Sequence, residues 1–210
     1  MSLSVRGIAR HFVKRTGALS VRETFFESVA DNLMMRERLS SIARKEISFD
    51  VSECQFDWTA SYEQTWSHVH VRVRLNADAN IPAVTMATLS ATWENTIQNT
   101  WSNRWSIGRP GEATCPITVD VEWVNNNAHH TVRVQQGPAA TNMTLWDTSD
   151  SGQVAAHEFG HMLGNPDEYP DPVCPTRSPV STNTVMHNNS NNVPQRLMQR
   201  LADNVGSNIV

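Results

Sequence analysis

Residues 156–169 read AHEFGHMLGNPDEY, and the side chains in it that could do chemistry are His157, Glu158 and His161. Four residues of helix turn by about 400° and rise about 6 Å, so imidazoles at 157 and 161 leave one face together and can share a metal ion. Glu158 lies about 100° round from His157, near such a metal without being forced onto it. Neutral imidazoles hold zinc well, and a carboxylate beside the metal can take a proton from zinc-bound water. The H-E-x-x-H spacing therefore predicts hydrolytic zinc chemistry. The competing reading is a buried helix that merely carries two histidines. The residues C-terminal to the motif decide between them, because a catalytic zinc wants three protein ligands and an open position. Asp167, six residues past His161, supplies the third ligand, with Glu168 and Asp171 as its rivals. Gly164 lets the chain leave the helix at positive φ, and Pro166 stiffens its return toward the metal.

The elements that position these residues follow from periodicity. Asp150 or Ser151 can cap a helix that starts at Gly152, and Gly164 with Asn165-Pro166 ends it. Upstream, Val69, Val71, Val73 and Leu75 alternate with His68, His70, Arg72 and Arg74, which predicts a half-buried strand. His68 and His70 share a face with two arginines and read as a polar sheet surface rather than a metal pair. After Pro82, Leu89, Trp93, Ile97, Trp101 and Trp105 recur every four residues, a long helix with a bulky apolar stripe that Gly108, Pro110 and Gly111 would end. The runs ITVDVEWV (117–124), HTVRVQQG (130–137) and NMTLWD (142–147) read as three strands joined by short turns, with His129 and His130 at a strand mouth. The expected fold is α+β: a mixed sheet backed by the tryptophan helix, plus the helix of the histidine motif. In residues 20–45, Ser20 with Glu23 forms a capping box, and Val21, Phe25, Val29 and Leu33 keep helical spacing. That predicts an N-terminal helical segment.

The 210 residues can bury a good-sized core without staples, and 39% apolar residues with seven tryptophans exclude a disordered chain. No apolar run is long enough to span a membrane. Three cysteines, Cys54, Cys115 and Cys174, allow one bridge with one thiol left over. The net charge of −4 is unevenly spread: residues 1–46 hold nine Lys/Arg against five Asp/Glu, and residues 47–210 eight against sixteen. This shift predicts a leader over 1–46 and a catalytic domain over 47–210. The acidic residues interleaved with the leader's arginines mark a solvated helix face, not a nucleic-acid surface. The N-terminus MSLSVRGIARHFVKRTGALS lacks the apolar core of a secretory signal, so export by a route other than Sec is expected.

His157, Glu158, His161, Gly164 and Asp167, spaced as H-E-x-x-H-x-x-G-x-x-D, resemble the extended zinc motif of metzincin metallopeptidases, in the snapalysin-like variant with Asp as third ligand. HEFGHMLGNPDEY also resembles metallopeptidase domains of bacterial toxins and injected effectors. The resemblance implies a metzincin-like catalytic domain with Zn2+ on His157, His161 and Asp167, and Glu158 as general base. It also implies a methionine turn beneath the zinc, for which Met186 in VMHNNS is suitably placed. It implies further that NMTLWD is an edge strand on which a protein or peptide substrate lies extended, by β-addition. Where some metzincins carry a tyrosine two residues past that methionine, this chain has Asn188; Tyr169 and His187 are the candidates to replace it as transition-state stabiliser. The function expected is a zinc endopeptidase, delivered as a secreted or injected effector from the producing cell's cytoplasm by a secretion or injection apparatus. The alternatives are a zinc amidase acting on cell-wall peptides and an inactive metal-binding module.

Overall fold

The computed structural model describes residues 44–210, and Arg44–Val210 forms one compact unit. The helix expected around Ser20 and Glu23 lies outside the described residues, and the first strand opens at Lys45, within the span read as helical. Strand β1 (Lys45–Glu53) and strand β2 (Phe56–Thr65) form an antiparallel hairpin, paired from Lys45↔Gln64 to Glu53↔Phe56, whose turn places Cys54 at φ 57°. After a second tight turn at Trp66 (φ 46°), β3 (His68–Ala77) runs back along the end of β2.

Strand β3 is the alternating run read from the sequence. Val69, Val71 and Val73 are fully buried, each worth about 1.5–3 kcal/mol of burial against the helical layer. On the opposite face His70 and Arg72 sit in an ionic network with Glu63, His70 at 3.2 Å and Arg72 at 2.7 Å, joined by Arg44. Burial would raise the Glu63 carboxyl, but hydrogen bonds from His70 and Arg72 outweigh it and hold the group down at about 2. The histidines of this strand thus serve a polar face, as expected.

Helix α1 (Ala83–Trp101) follows Pro82 and buries Trp93, Ile97 and Trp101 completely. It stops one step short of the expected stripe. Ser102 is extended, Asn103 turns at φ 58°, and the Asn103 N–H donates to the Ile117 carbonyl at 2.7 Å. Pairing with the incoming strand replaces the helix's own hydrogen bonds here, so Trp105 belongs to the following turn and donates its indole N–H to the Val193 carbonyl at 2.9 Å.

Strands β4 (Ser106–Gly108) and β5 (Cys115–Pro116) form a small antiparallel sheet, while β6 (Thr118–Trp123) and β7 (His130–Gln135) both run parallel to β3. The short Asn-rich turn therefore does not make a hairpin. It crosses β3: the Val124 N–H donates to the Val73 carbonyl, and the His129 N–H to the Arg72 carbonyl at 2.8 Å. Strand β8 (Leu145–Asp147) also pairs parallel with β7, so the sheet is mixed, antiparallel through β1–β2–β3 and parallel beyond β3. Helix α2 (Gly152–Met162) carries the histidine motif and packs against α1, helix α3 (Gln195–Asp203) follows, and β9 (Asn208–Ile209) closes the small sheet on β4. Cys54 and Cys174 are bridged and Cys115 is free. No helix among the described residues is long and apolar enough to cross a membrane. The α+β layout matches the expectation.

Candidate active site

Ser151, not Asp150, caps α2: its hydroxyl accepts from the Val154 N–H at 3.4 Å. The Asp150 carboxylate instead accepts from the Asp147 N–H and the Thr141 hydroxyl. Two tryptophans of α1 tie this helix down from below. Trp93 donates to the Asp150 carbonyl at 3.0 Å and Trp101 to the Ala156 carbonyl at 2.8 Å. The helix then breaks at Gly164 (φ 91°), where an added Cβ would also lie 2.4 Å from the Phe49 ring. Only glycine suits both demands.

The break returns the chain over the histidines. The Nδ1 of His157 donates to the Val185 carbonyl and that of His161 to the Asn165 carbonyl, each at 2.8 Å. A proton held at Nδ1 leaves the Nε2 lone pair free, and both Nε2 atoms point at one oxygen, Asp167 Oδ1, at 3.0 and 3.4 Å. The three donor atoms lie within 4.8 Å of one another. Two lone pairs facing a carboxylate oxygen repel unless a cation or a proton sits among them. Two nitrogens and one oxygen are a ligand set that suits zinc. Burial would lower the His157 pKa, but the hydrogen bond to Asp167 and the nearby Glu158 charge raise it. Burial likewise fails to raise Asp167, whose hydrogen bonds from His157 and His161 hold it far below the usual carboxylate range.

Glu158 sits in the same turn of α2, 7% exposed, and its Oε2 has no hydrogen-bond partner among the described residues. A buried carboxylate oxygen left unpaired is costly and calls for an explanation. Burial pushes the Glu158 pKa up, partly offset by the two histidines. Met186 is fully buried beneath the helix: an added Cβ on Gly160 would lie 2.4 Å from its Sδ. Its carbonyl accepts from the Glu168 N–H at 2.8 Å, while neighbouring Val185 holds His157.

The rival ligands face elsewhere. Glu168 is buried in a two-pronged pair with Arg196, at 2.9 and 2.6 Å, and Asp171 caps its own turn by accepting from the Val173 N–H. His187 Nδ1 donates to the Glu168 carbonyl at 3.3 Å. Tyr169 is 37% exposed and stacks under Arg177, and burial together with the Asp167 charge pushes its phenol up to about 12, so it keeps its proton. Two residues the motif does not announce complete the surroundings. Trp58 of β2 donates its indole N–H to the His161 carbonyl at 2.9 Å and packs edge-on against that imidazole. Arg177 is buried next to Asp167.

The expected substrate edge is closed. In β8 the groups of Leu145 and Asp147 point away from β7, because Thr144 and Thr148 on either side bond to Arg133 and Gln135. Leu145 exchanges both its backbone bonds with Asn142, and Asp147 gives its N–H to the Asp150 carboxylate and its carbonyl to the Asp150 N–H. NMTLWD therefore has no free outward donor or acceptor over Leu145–Asp147 for a peptide strand, and β-addition there is not available.

The family model described as the immune inhibitor A peptidase M6 catalytic domain matches residues 98–195, a little under half of the chain. That stretch runs from the end of α1 through the whole histidine motif, Asp167 and Met186. Comparison with curated proteins and with solved structures gave no significant match. A peptidase domain of this kind, laid over a converging His-His-Asp trio, makes the chain a metallopeptidase, a hydrolase that depends on zinc.

Proposed function

We propose that this metallopeptidase is an endopeptidase in which His157, His161 and Asp167 hold the zinc and Glu158 is the general base. The observation that carries the reading is the pair of Nε2 atoms, freed by backbone carbonyls at Nδ1 and converging on Asp167 Oδ1 beside an unpaired buried carboxylate. Zinc, when bound, supplies Lewis-acid polarisation to the scissile carbonyl and to water. Glu158 takes the proton of the attacking water and delivers it to the leaving amine. Of the two candidates for stabilising the oxyanion, Tyr169 is favoured by its exposure and its retained proton. A structural metal site has no use for an unpaired carboxylate at 158, which argues against an inactive module.

The metzincin-like reading with Asp as third ligand is supported by Gly164, Asp167 and the buried Met186 under Gly160. A secreted or injected effector is supported by the Cys54–Cys174 bridge, since disulfides persist outside the reducing cytosol. Residues 1–46 would then serve delivery or cover the site as a propeptide. Incubating the full chain with an unfolded protein and, separately, with purified peptidoglycan tests the substrate class. New internal peptide termini that vanish on chelation and return with zinc are expected; release of cell-wall peptides alone would make the enzyme an amidase.

The ligand set has its own test. Asp167→Ala should weaken zinc binding by at least about 100-fold in competition with a chelator, Asp167→His should retain the metal, and Glu168→Ala should change affinity little. Tight zinc in Asp167→Ala would put the third ligand elsewhere.

A further inference from the structure

Asp167 has two carboxylate oxygens, and they meet different neighbours. Oδ1 faces both imidazoles, while Oδ2 lies 3.8 Å from Nη2 of Arg177. The Arg177 side chain is 1% exposed. It is fixed by two parallel hydrogen bonds to Glu53 at 3.0 and 2.9 Å, a bond from Nη1 to the Tyr169 carbonyl at 2.9 Å and the Tyr169 ring 4.7 Å away, and Asp171 Oδ2 lies 3.6 Å from the same Nη2. Glu53 ends β1, and the residue after it, Cys54, is bridged to Cys174, three residues before Arg177. The ligand loop and the β1–β2 hairpin are thus joined twice at one place, once covalently and once by a forked ion pair.

A guanidinium that cannot move fixes the carboxylate it faces. At 3.8 Å the Arg177 charge, without a direct hydrogen bond, favours the orientation in which Oδ2 faces the guanidinium and Oδ1 faces the histidines. Without that charge, the carboxylate is less constrained, and the loop carrying it keeps only the disulfide as its anchor on the hairpin. We propose that Arg177 is a positioning residue for the third zinc ligand, latched by Glu53, and that it sets zinc affinity through Asp167. The proposal rests on Asp167 being that ligand. Groups that hold a metal ligand from behind typically contribute 10- to 100-fold in metal affinity, and a planar fork is suited to serving two carboxylates at once in a way that an ammonium is not.

The test is zinc affinity of Arg177→Met and Arg177→Lys, each made in the native background and in Asp167→Ala. In the native background both should bind zinc about 10- to 100-fold more weakly, and the visible bands of the cobalt-substituted proteins should change in position or intensity. In the Asp167→Ala background the same substitutions should alter affinity by less than about threefold, because the residue they act through is gone. Removing a buried cation beside Glu53, Asp167 and Asp171 can prevent folding; if Arg177→Met is insoluble, Arg177→Lys, which keeps the charge, carries the comparison. Equal losses in both backgrounds would make Arg177 a general structural residue and overturn the proposal, as would unchanged affinity with an unchanged cobalt spectrum. If Asp167→Ala itself binds zinc normally, the ligand assignment fails first, and that result is distinct from the other two.

Discussion

Glu158→Gln is expected to bind zinc stoichiometrically, unfold at or above the native temperature, and hydrolyse peptides about 10²–10⁴-fold more slowly or worse. The substitution keeps the shape of the side chain, so the helical turn that presents His157 and His161 is undisturbed. It also replaces a buried, half-unpaired carboxyl by a neutral amide, which removes a desolvation cost from the folded state. What it takes away is the proton carrier. The ligand atoms and their backbone partners at Val185 and Asn165 all remain. Metal content by elemental analysis, thermal unfolding and cleavage rate of an internally quenched peptide separate these effects. Full zinc with undiminished cleavage would remove Glu158 from the mechanism.

The second large effect is structural. The Cys54–Cys174 bridge closes a loop with a sequence separation of 120 residues, most of the described domain. In the chain-entropy account, removing a cross-link of that span from the unfolded state costs the native state on the order of 5 kcal/mol. Against a typical domain stability of roughly 5–15 kcal/mol, that is a third or more of the total. The double variant Cys54→Ser, Cys174→Ser should therefore show a much lower urea midpoint than the oxidised parent when both are measured free of metal, and Cys115→Ser should not. A loss below about 1 kcal/mol would mean that the hairpin and ligand loop are held together well enough by Glu53 and Arg177 alone.

Much of the site was legible because its rules are local. Two histidines at helical spacing, a glycine that ends the helix and a proline that stiffens the return are consecutive in the chain, and the structure brings His157, His161 and Asp167 together from them. Met186 required only that the following loop return beneath Gly160. The β3 run and most of the tryptophan stripe were equally plain, since one face of each is buried. Residues 45–65 carry a readable alternation in Ile47, Phe49 and Val51, yet nothing in it announces that the hairpin tip meets the ligand loop. That meeting depends on tertiary pairing, so Arg177 and Trp58 had no local signature; a bridge between Cys54 and Cys174 was the one clue that could have drawn Glu53 toward Arg177. Trp105 fitted the four-residue repeat but lost to backbone pairing at Asn103. The outer face of NMTLWD looked like an open edge because its satisfaction comes from Asn142 and from the Asp150 side chain, neither of which a strand pattern weighs.

That self-satisfied edge bears on how ligands for this enzyme should be built. An inhibitor patterned on a stretched peptide ordinarily gains from main-chain amides that dock in register along an enzyme strand, a contribution indifferent to sequence. Here Leu145 and Asp147 have nothing left to offer such a ladder. Masking the amides of a peptidomimetic, by methylation for instance, forfeits no bond to this strand. Selectivity would have to be sought in side-chain groups and in the zinc-binding head, and compounds developed against peptidases with open cleft edges make poor starting points.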